Sequence, residues 1–148
     1  MTAEHAERIV AAARCWIGTP YRHQASRKGA GTACLGLLRG VWREVVGTEP
    51  EAVPAYSADW SEPSAAEDLL AAACRWLRSA GPGVGQPGQV LLFRMRAGAV
   101  AKHLGIMASS ANGPSFIHAY TRHGVIEPAL SEPWRRKIVA RFHFPEGQ

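Results

Sequence analysis

The order of the hydrophobic periods along the chain limits its possible folds most: three- and four-residue steps dominate the first half, and alternation dominates the second. From Glu4 to Trp16, with Ile17 beyond, the residues Ala6, Ile9, Val10 and Ala13 mark one helix face, and Gly18-Thr19-Pro20 ends it. A loop rich in Gly, Ser, Arg and His runs from Tyr21 to Thr32. A second helix is expected from Cys34 to Val46, with Leu35, Leu38, Val41, Trp42 and Val45 buried and Gly47 as its stop. Thr48 to Pro63 contains three prolines and reads as a loop anchored by Tyr56 and Trp60. Ser64 with Glu67 forms a capping box for a third helix through Leu69, Leu70, Ala73, Trp76 and Leu77, closed by Gly81-Pro82-Gly83.

After that the pattern changes. Strands are expected at Gln89 to Met95, His103 to Ser109, Ser115 to Tyr120, Val125 to Pro128 and Lys137 to Phe144, with Ser110-Ala111-Asn112-Gly113-Pro114 as a hairpin turn. Helices followed by an antiparallel sheet predict an α+β fold. At 148 residues and 47% apolar composition, the chain is expected to form a single domain over 1–148 around one sizeable core.

Charge and cysteine content restrict the partners. A net charge of +5 suits an acidic partner such as murein. The basic residues Arg22, Arg27, Lys28, Arg39, Arg43, Arg94 and Arg96 are scattered, and no helix-turn-helix, zinc-finger or RNA-binding signature accompanies them, so no specific nucleic-acid binding is expected. No segment approaches the roughly 20 apolar residues of a membrane span, and the N-terminal residues lack a basic region followed by an apolar one. Membrane insertion and a Sec signal are therefore not expected. Cys15, Cys34 and Cys74 are odd in number and widely spaced, which fits synthesis in a reducing cytoplasm better than a disulfide framework.

One of these cysteines stands apart. In Gly31-Thr32-Ala33-Cys34-Leu35-Gly36, a glycine-rich turn delivers Cys34 to the start of an apolar helix, where unpaired amides and the helix dipole stabilise an anion. The same amides can hold an oxyanion. Two histidines in β-like runs, His103 and His118, supply a base and an orienting group, giving a nucleophile-base-orienter order along the chain. Cys15 and Cys74 read as small buried helix residues, and His5, His23, His123 and His143 as surface or loop residues. Trp16, Trp42, Trp76 and Trp134 read as core and loop anchors. Cys34, His103 and His118 also suit zinc by residue type, but no close ligand pair and no fourth ligand accompany them, so no metal is expected.

The stretches Trp16-Ile17-Gly18-Thr19-Pro20-Tyr21-Arg22-His23-Gln24-Ala25-Ser26, Cys34-Leu35-Gly36-Leu37, Pro87-Gly88-Gln89-Val90-Leu91-Leu92-Phe93, His103-Leu104-Gly105-Ile106, Ile117-His118-Ala119 and Trp134-Arg135-Arg136 together resemble the NlpC/P60 cell-wall peptidases. Within that family they resemble the small enzymes of phage tails and gene transfer agents. The resemblance implies a papain-like fold, with N-terminal helices packed on an antiparallel sheet. It also implies a cysteine endopeptidase that needs no cofactor, with Cys34 as nucleophile, His103 as general base and His118 as orienter. Tyr21 would donate to the oxyanion beside the Cys34 N–H, and Trp60 would line the substrate groove. Cys34 and His103 are expected to form a thiolate-imidazolium pair at neutral pH.

The implied substrate is a peptidoglycan stem peptide, cut between the γ-carboxyl of D-glutamate and the following diamino acid. The family usually has an aspartate before the cysteine and, in enzymes that trim free stem peptides, a serine after it to hold the substrate ammonium. Here those positions are Ala33 and Leu35, and Gln89 stands where another aspartate is common. Glycan-linked stem peptides are the expected consequence. The implied partners are the tail hub or baseplate proteins of a phage-like particle, with action at the tail tip in the periplasm of a target cell. A structural tail protein with a weakened peptidase fold is the alternative from another class, and an acyltransferase or amidase would use the same residues.

Overall fold

The structure is a computed structural model in which residues 1–50 and 68–146 are described. Tyr56, Trp60, Ser64 and Glu67 lie outside the described residues. Helix α1 spans Ala3–Arg14, capped by the Thr2 hydroxyl accepting from the His5 N–H at 3.0 Å. It ends two residues before the expected stop, so Ile17 is exposed and does not extend the apolar face. A short hairpin, β1 (Ser26–Arg27) and β2 (Gly31–Thr32), folds part of the expected loop back on itself. Helix α2 spans Cys34–Val45 and α3 spans Asp68–Trp76.

The buried face of α2 is displaced by one position from the expected one. Cys34, Leu37, Val41 and Val45 are buried, with Gly36 and Gly40 beside them, whereas Leu35, Leu38 and Trp42 flank the core. The two glycines explain this displacement. A Cβ at Gly36 would lie 1.8 Å from the carbonyl oxygen of Ala25, and one at Gly40 would lie 2.0 Å from the ring of Trp16. The helix approaches its neighbours through the stripe that has no side chains, and the larger residues move to its flanks.

Six strands form one antiparallel sheet: β3 (Arg78–Ser79), β4 (Val90–Phe93), β5 (His103–Ser110), β6 (Gly113–Tyr120), β7 (Gly124–Ile126) and β8 (Ile138–His143), in the order β3-β8-β4-β5-β6-β7. The expected strands recur with slightly shorter ends, and a short helix α4 (Glu132–Arg135) interrupts the last connection. In the β5–β6 turn, Ser110 pairs with Gly113, and Gly113 alone takes a left-handed φ of 111°.

Because side chains alternate across a strand, β5 serves two cores. Leu104, Ile106 and Ala108 join the main core with Ile9, Ala13, Leu37 and Val41 from α1 and α2. Met107 joins Leu91, Phe93, Phe116 and Leu130 in a second cluster, against which Trp134 of α4 packs. No helix among the described residues is long and apolar enough to cross a membrane.

Candidate active site

Cys34 is the first residue of α2, and Ala33 is its N-cap, in extended conformation and without a capping side chain. The turn that presents Cys34 is tied down on both sides. Thr32 donates its hydroxyl to the carbonyls of Ala25 and Ala33, and the Ala33 N–H donates to Ala25 at 3.1 Å. The thiol lies against the backbone at the start of β5, 3.9 Å from the carbonyl oxygen of Lys102. Burial pushes the thiol pKa up, while the N–H groups of Leu104, Leu35 and Cys34 act in the opposite direction.

His103 opens β5, and its Nε2 lies 2.6 Å from Nδ1 of His118 on β6. Both imidazoles are buried, His103 at 8% exposure and His118 at 1%. They occupy an aromatic nest. His118 is 4.3 Å from the ring centroid of Phe116, 5.2 Å from Tyr120 and 5.2 Å from Trp134, while Phe93 lies 5.7 Å from His103. Gly105 leaves room for this cluster, since a Cβ there would come within 3.1 Å of the Phe116 ring and 3.4 Å of the His118 Cβ. Burial holds the pKa of His103 down to about 4, and burial with the neighbouring imidazoles holds that of His118 down to about 3.

These directions correct the expected thiolate-imidazolium pair. At neutral pH the resting site holds a thiol and two neutral imidazoles, because desolvation opposes every charge in it. Hydrogen positions follow from the geometry. Since His103 Nε2 is engaged with His118, only Nδ1 of His103 remains to accept a proton from a nucleophile. Nε2 must then carry the hydrogen and donate to His118 Nδ1, which moves the His118 hydrogen to its own Nε2. That atom is buried and has no hydrogen-bond partner among the described residues. Its ring stands edge-on to Trp134, at an interplanar angle of 76°.

Cys34 and His103 open onto one cavity of about 410 Å³, lined also by Tyr21, Ala33, Arg96 and Lys102. Of the residues expected at the site, Cys34, His103, Tyr21 and Ala33 line this space, and His118 stands behind His103. Tyr21 is half-buried; burial and the proximity of Cys34 raise its pKa, and its hydroxyl pairs with the side chain of Thr121. Leu35 does not line the cavity and instead packs on the main core. Trp60 lies outside the described residues.

Other expectations change. Cys15 and Cys74 are exposed, because each falls just outside the buried stripe of its helix. His5 is buried, with its Nδ1 3.7 Å from a Glu146 carboxylate oxygen. Gln89 is buried and accepts from the Gln86 N–H at 3.1 Å, closing the turn before β4. Sequence reading missed Arg96 and Lys102 in the β4–β5 connector and the aromatic nest around the imidazoles. The alternation of Phe116 with His118 on one strand face was the available signal for the nest. No group of metal-binding side chains occurs among the described residues.

No family model matches the chain, and no curated protein matches it. Solved structures do. A Staphylococcus aureus protein described as similar to a lipoprotein of the NLP/P60 family aligns with 99% of this chain at 17% identity and a TM-score of 0.62, and the chain spans 43% of that protein. The NlpC/p60 domain of the peptidoglycan hydrolase SagA aligns with 94% of this chain and 98% of its own length, at 19% identity and a TM-score of 0.57. NlpC2 of Trichomonas vaginalis aligns with 97% of this chain and 48% of its own length, at 13% identity and a TM-score of 0.63. With helices packed on an antiparallel sheet and these neighbours across nearly its whole length, the chain has the NlpC/P60 fold.

Proposed function

We propose that this protein is a cysteine peptidase that hydrolyses peptidoglycan stem peptides at the bond from the γ-carboxyl of D-glutamate to the following diamino acid. One observation carries the reading: Cys34, at the first turn of α2, shares a cavity with His103, whose other ring nitrogen is held by His118. SagA, a structural neighbour, is a peptidoglycan hydrolase.

The chemistry follows from the neutral resting state. His103 Nδ1 takes the thiol proton as the sulfur attacks the substrate carbonyl, so a thiolate need not exist beforehand. The Cys34 N–H and the Tyr21 hydroxyl are the donors for the resulting oxyanion. The imidazolium returns its proton to the leaving amine as the C–N bond breaks, leaving a thioester on Cys34. Water, deprotonated by His103, attacks that thioester and releases the acid with the thiol regenerated. Ala33 offers no carboxylate for a substrate ammonium, which favours stem peptides still attached to glycan.

The resemblance to the tail enzymes of phages and gene transfer agents supports a place at a tail tip, docked to hub or baseplate proteins and acting in the periplasm of the target cell. Immunogold labelling of purified particles at the tail tip tests that placement. Ala33 and the raised thiol pKa favour a second reading, a structural tail protein with a weakened site. Mass spectrometry of murein incubated with the purified protein decides between the two. A new free amine on the diamino acid supports the peptidase, whereas intact muropeptides from folded protein support the structural reading.

A further inference from the structure

We propose that the cavity selects substrates bearing a free carboxylate beside the scissile bond, and that Arg96 and Lys102 are the residues that recognise it. The inference rests on the peptidase reading for the identity of the substrate, but its basis is the charge of the cavity wall. Arg96 and Lys102 both line the space that Cys34 and His103 share, His23 lines it as well, and no acidic residue does so among the described residues. The nearest described carboxylates in sequence are committed elsewhere: Glu49 pairs with Arg39 and Arg43, and Glu127 pairs with Arg14.

The two cations sit on a built connector. The Arg94 guanidinium donates to the carbonyl of Ala99, the Ala99 N–H donates to Arg96 at 3.1 Å, and the Lys102 N–H donates to Phe93 at 3.2 Å. Both ends of the connector are therefore fixed to β4, and Lys102 immediately precedes the base His103. Its carbonyl is the group that meets the Cys34 thiol. A carboxylate on the substrate atom adjoining the cleaved amide would lie between the two cations while the carbonyl lies at Cys34. In a γ-linked glutamyl residue the free α-carboxylate is such a group, and its conversion to a carboxamide removes the charge while keeping the shape.

The test compares two synthetic L-Ala-γ-D-Glu-diamino acid peptides, N-acylated to mimic the glycan link, with the α-carboxylate either free or as carboxamide. Binding to Cys34→Ala is measured by calorimetry, and kcat/KM is measured for the wild type. The free acid should bind about ten-fold or more tightly than the amide, as a charge-assisted hydrogen bond gives. Raising the salt concentration should narrow the ratio. Arg96→Gln and Lys102→Gln in the Cys34→Ala background should each reduce it, the double variant should bring it near one, and Arg96→Lys should retain most of it. Melting temperatures of the variants show whether the fold survives.

Equal affinities for acid and amide, binding of neither peptide, or an unchanged ratio in the folded double variant would overturn the proposal. If acid-selective binding occurs while the wild type cleaves neither peptide, charge selection stands and the peptidase reading fails. If both peptides are cleaved at equal rates, the reverse holds.

Discussion

Cys34 is placed by backbone, and the two histidines are placed by side chains. Around the sulfur the polar neighbours are amides of Cys34, Leu35 and Leu104 and the carbonyl of Lys102, presented by a helix start and a strand start. Around His103 and His118 the neighbours are the rings of Phe93, Phe116, Tyr120 and Trp134, gathered from β4, β6 and α4. A site made of backbone tolerates changes in nearby side chains as long as the chain path is preserved. A site made of packed rings keeps its geometry only while each ring is present. The contrast accounts for the neutral resting state: close packing removes water from the imidazoles, and no carboxylate is supplied to compensate.

Removing one reacting group from either side should have the largest effect. Cys34→Ala and His103→Ala should each reduce murein cleavage by roughly three or more orders of magnitude, and the double variant should be little worse than either, because members of a catalytic unit fail together. Additive losses in kcat/KM would separate the two sides into independent contributors.

The orienter comes next. The bonded atom of His118 is Nδ1, and the amide oxygen of asparagine sits at that distance from the backbone, whereas that of glutamine reaches further. His118→Asn should therefore retain about ten-fold more kcat/KM than His118→Ala, with a smaller rescue by glutamine. Equal activities in all three would mean that the rings alone position His103.

The cysteine side should break through its glycines. Gly36→Ala or Gly40→Ala forces a methyl into the Ala25 carbonyl or the Trp16 ring and should lower stability by about 1–3 kcal/mol. Denaturant unfolding checks this, and activity should fall because the start of α2 moves. Gly105→Ala approaches the Phe116 ring at 3.1 Å, a contact that a side chain can relieve, so its effect should be smaller.

Acid separates the two sides by titration. His103 must be neutral to act as base, so with its pKa near 4 the acid limb of kcat/KM should lie well below the ordinary histidine value of 6.5. Stability should move in the same range. The folded values, about 4 and about 3, lie below 6.5, so the unfolded chain binds more protons between these limits. The histidine contribution is complete above pH 6.5 and is lost as the pH falls toward 4 and below. His118→Asn should flatten that loss, and an unchanged stability profile would show that His118 does not contribute to it.

The order of helices and strands, and the turns between them, were legible because period and breaker residues are local properties. The position of Cys34 at the start of α2 was legible for the same reason. The buried face of α2 was not, because Gly36 and Gly40 meet Ala25 and Trp16 only after the chain has folded, and a glycine gives no hydrophobic signal of its own. The protonation state was also hidden. His103 and His118 are 15 residues apart, and the rings that exclude water from them come from four separate segments. Arg96 and Lys102 read as dispersed charge until the connector brought them to the cavity wall beside Cys34.

The buried, protonated state of Cys34 has a consequence for the durability of the protein outside a reducing compartment. Peroxide attacks thiolates and reacts slowly with thiols, so a sulfur that keeps its proton until a substrate arrives is shielded from conversion to sulfenic acid and beyond. The exposed Cys15 and Cys74 have no such cover and should be oxidised first. Their loss would leave the cavity chemically intact, so the protein can age at its surface while its reactive sulfur stays reduced.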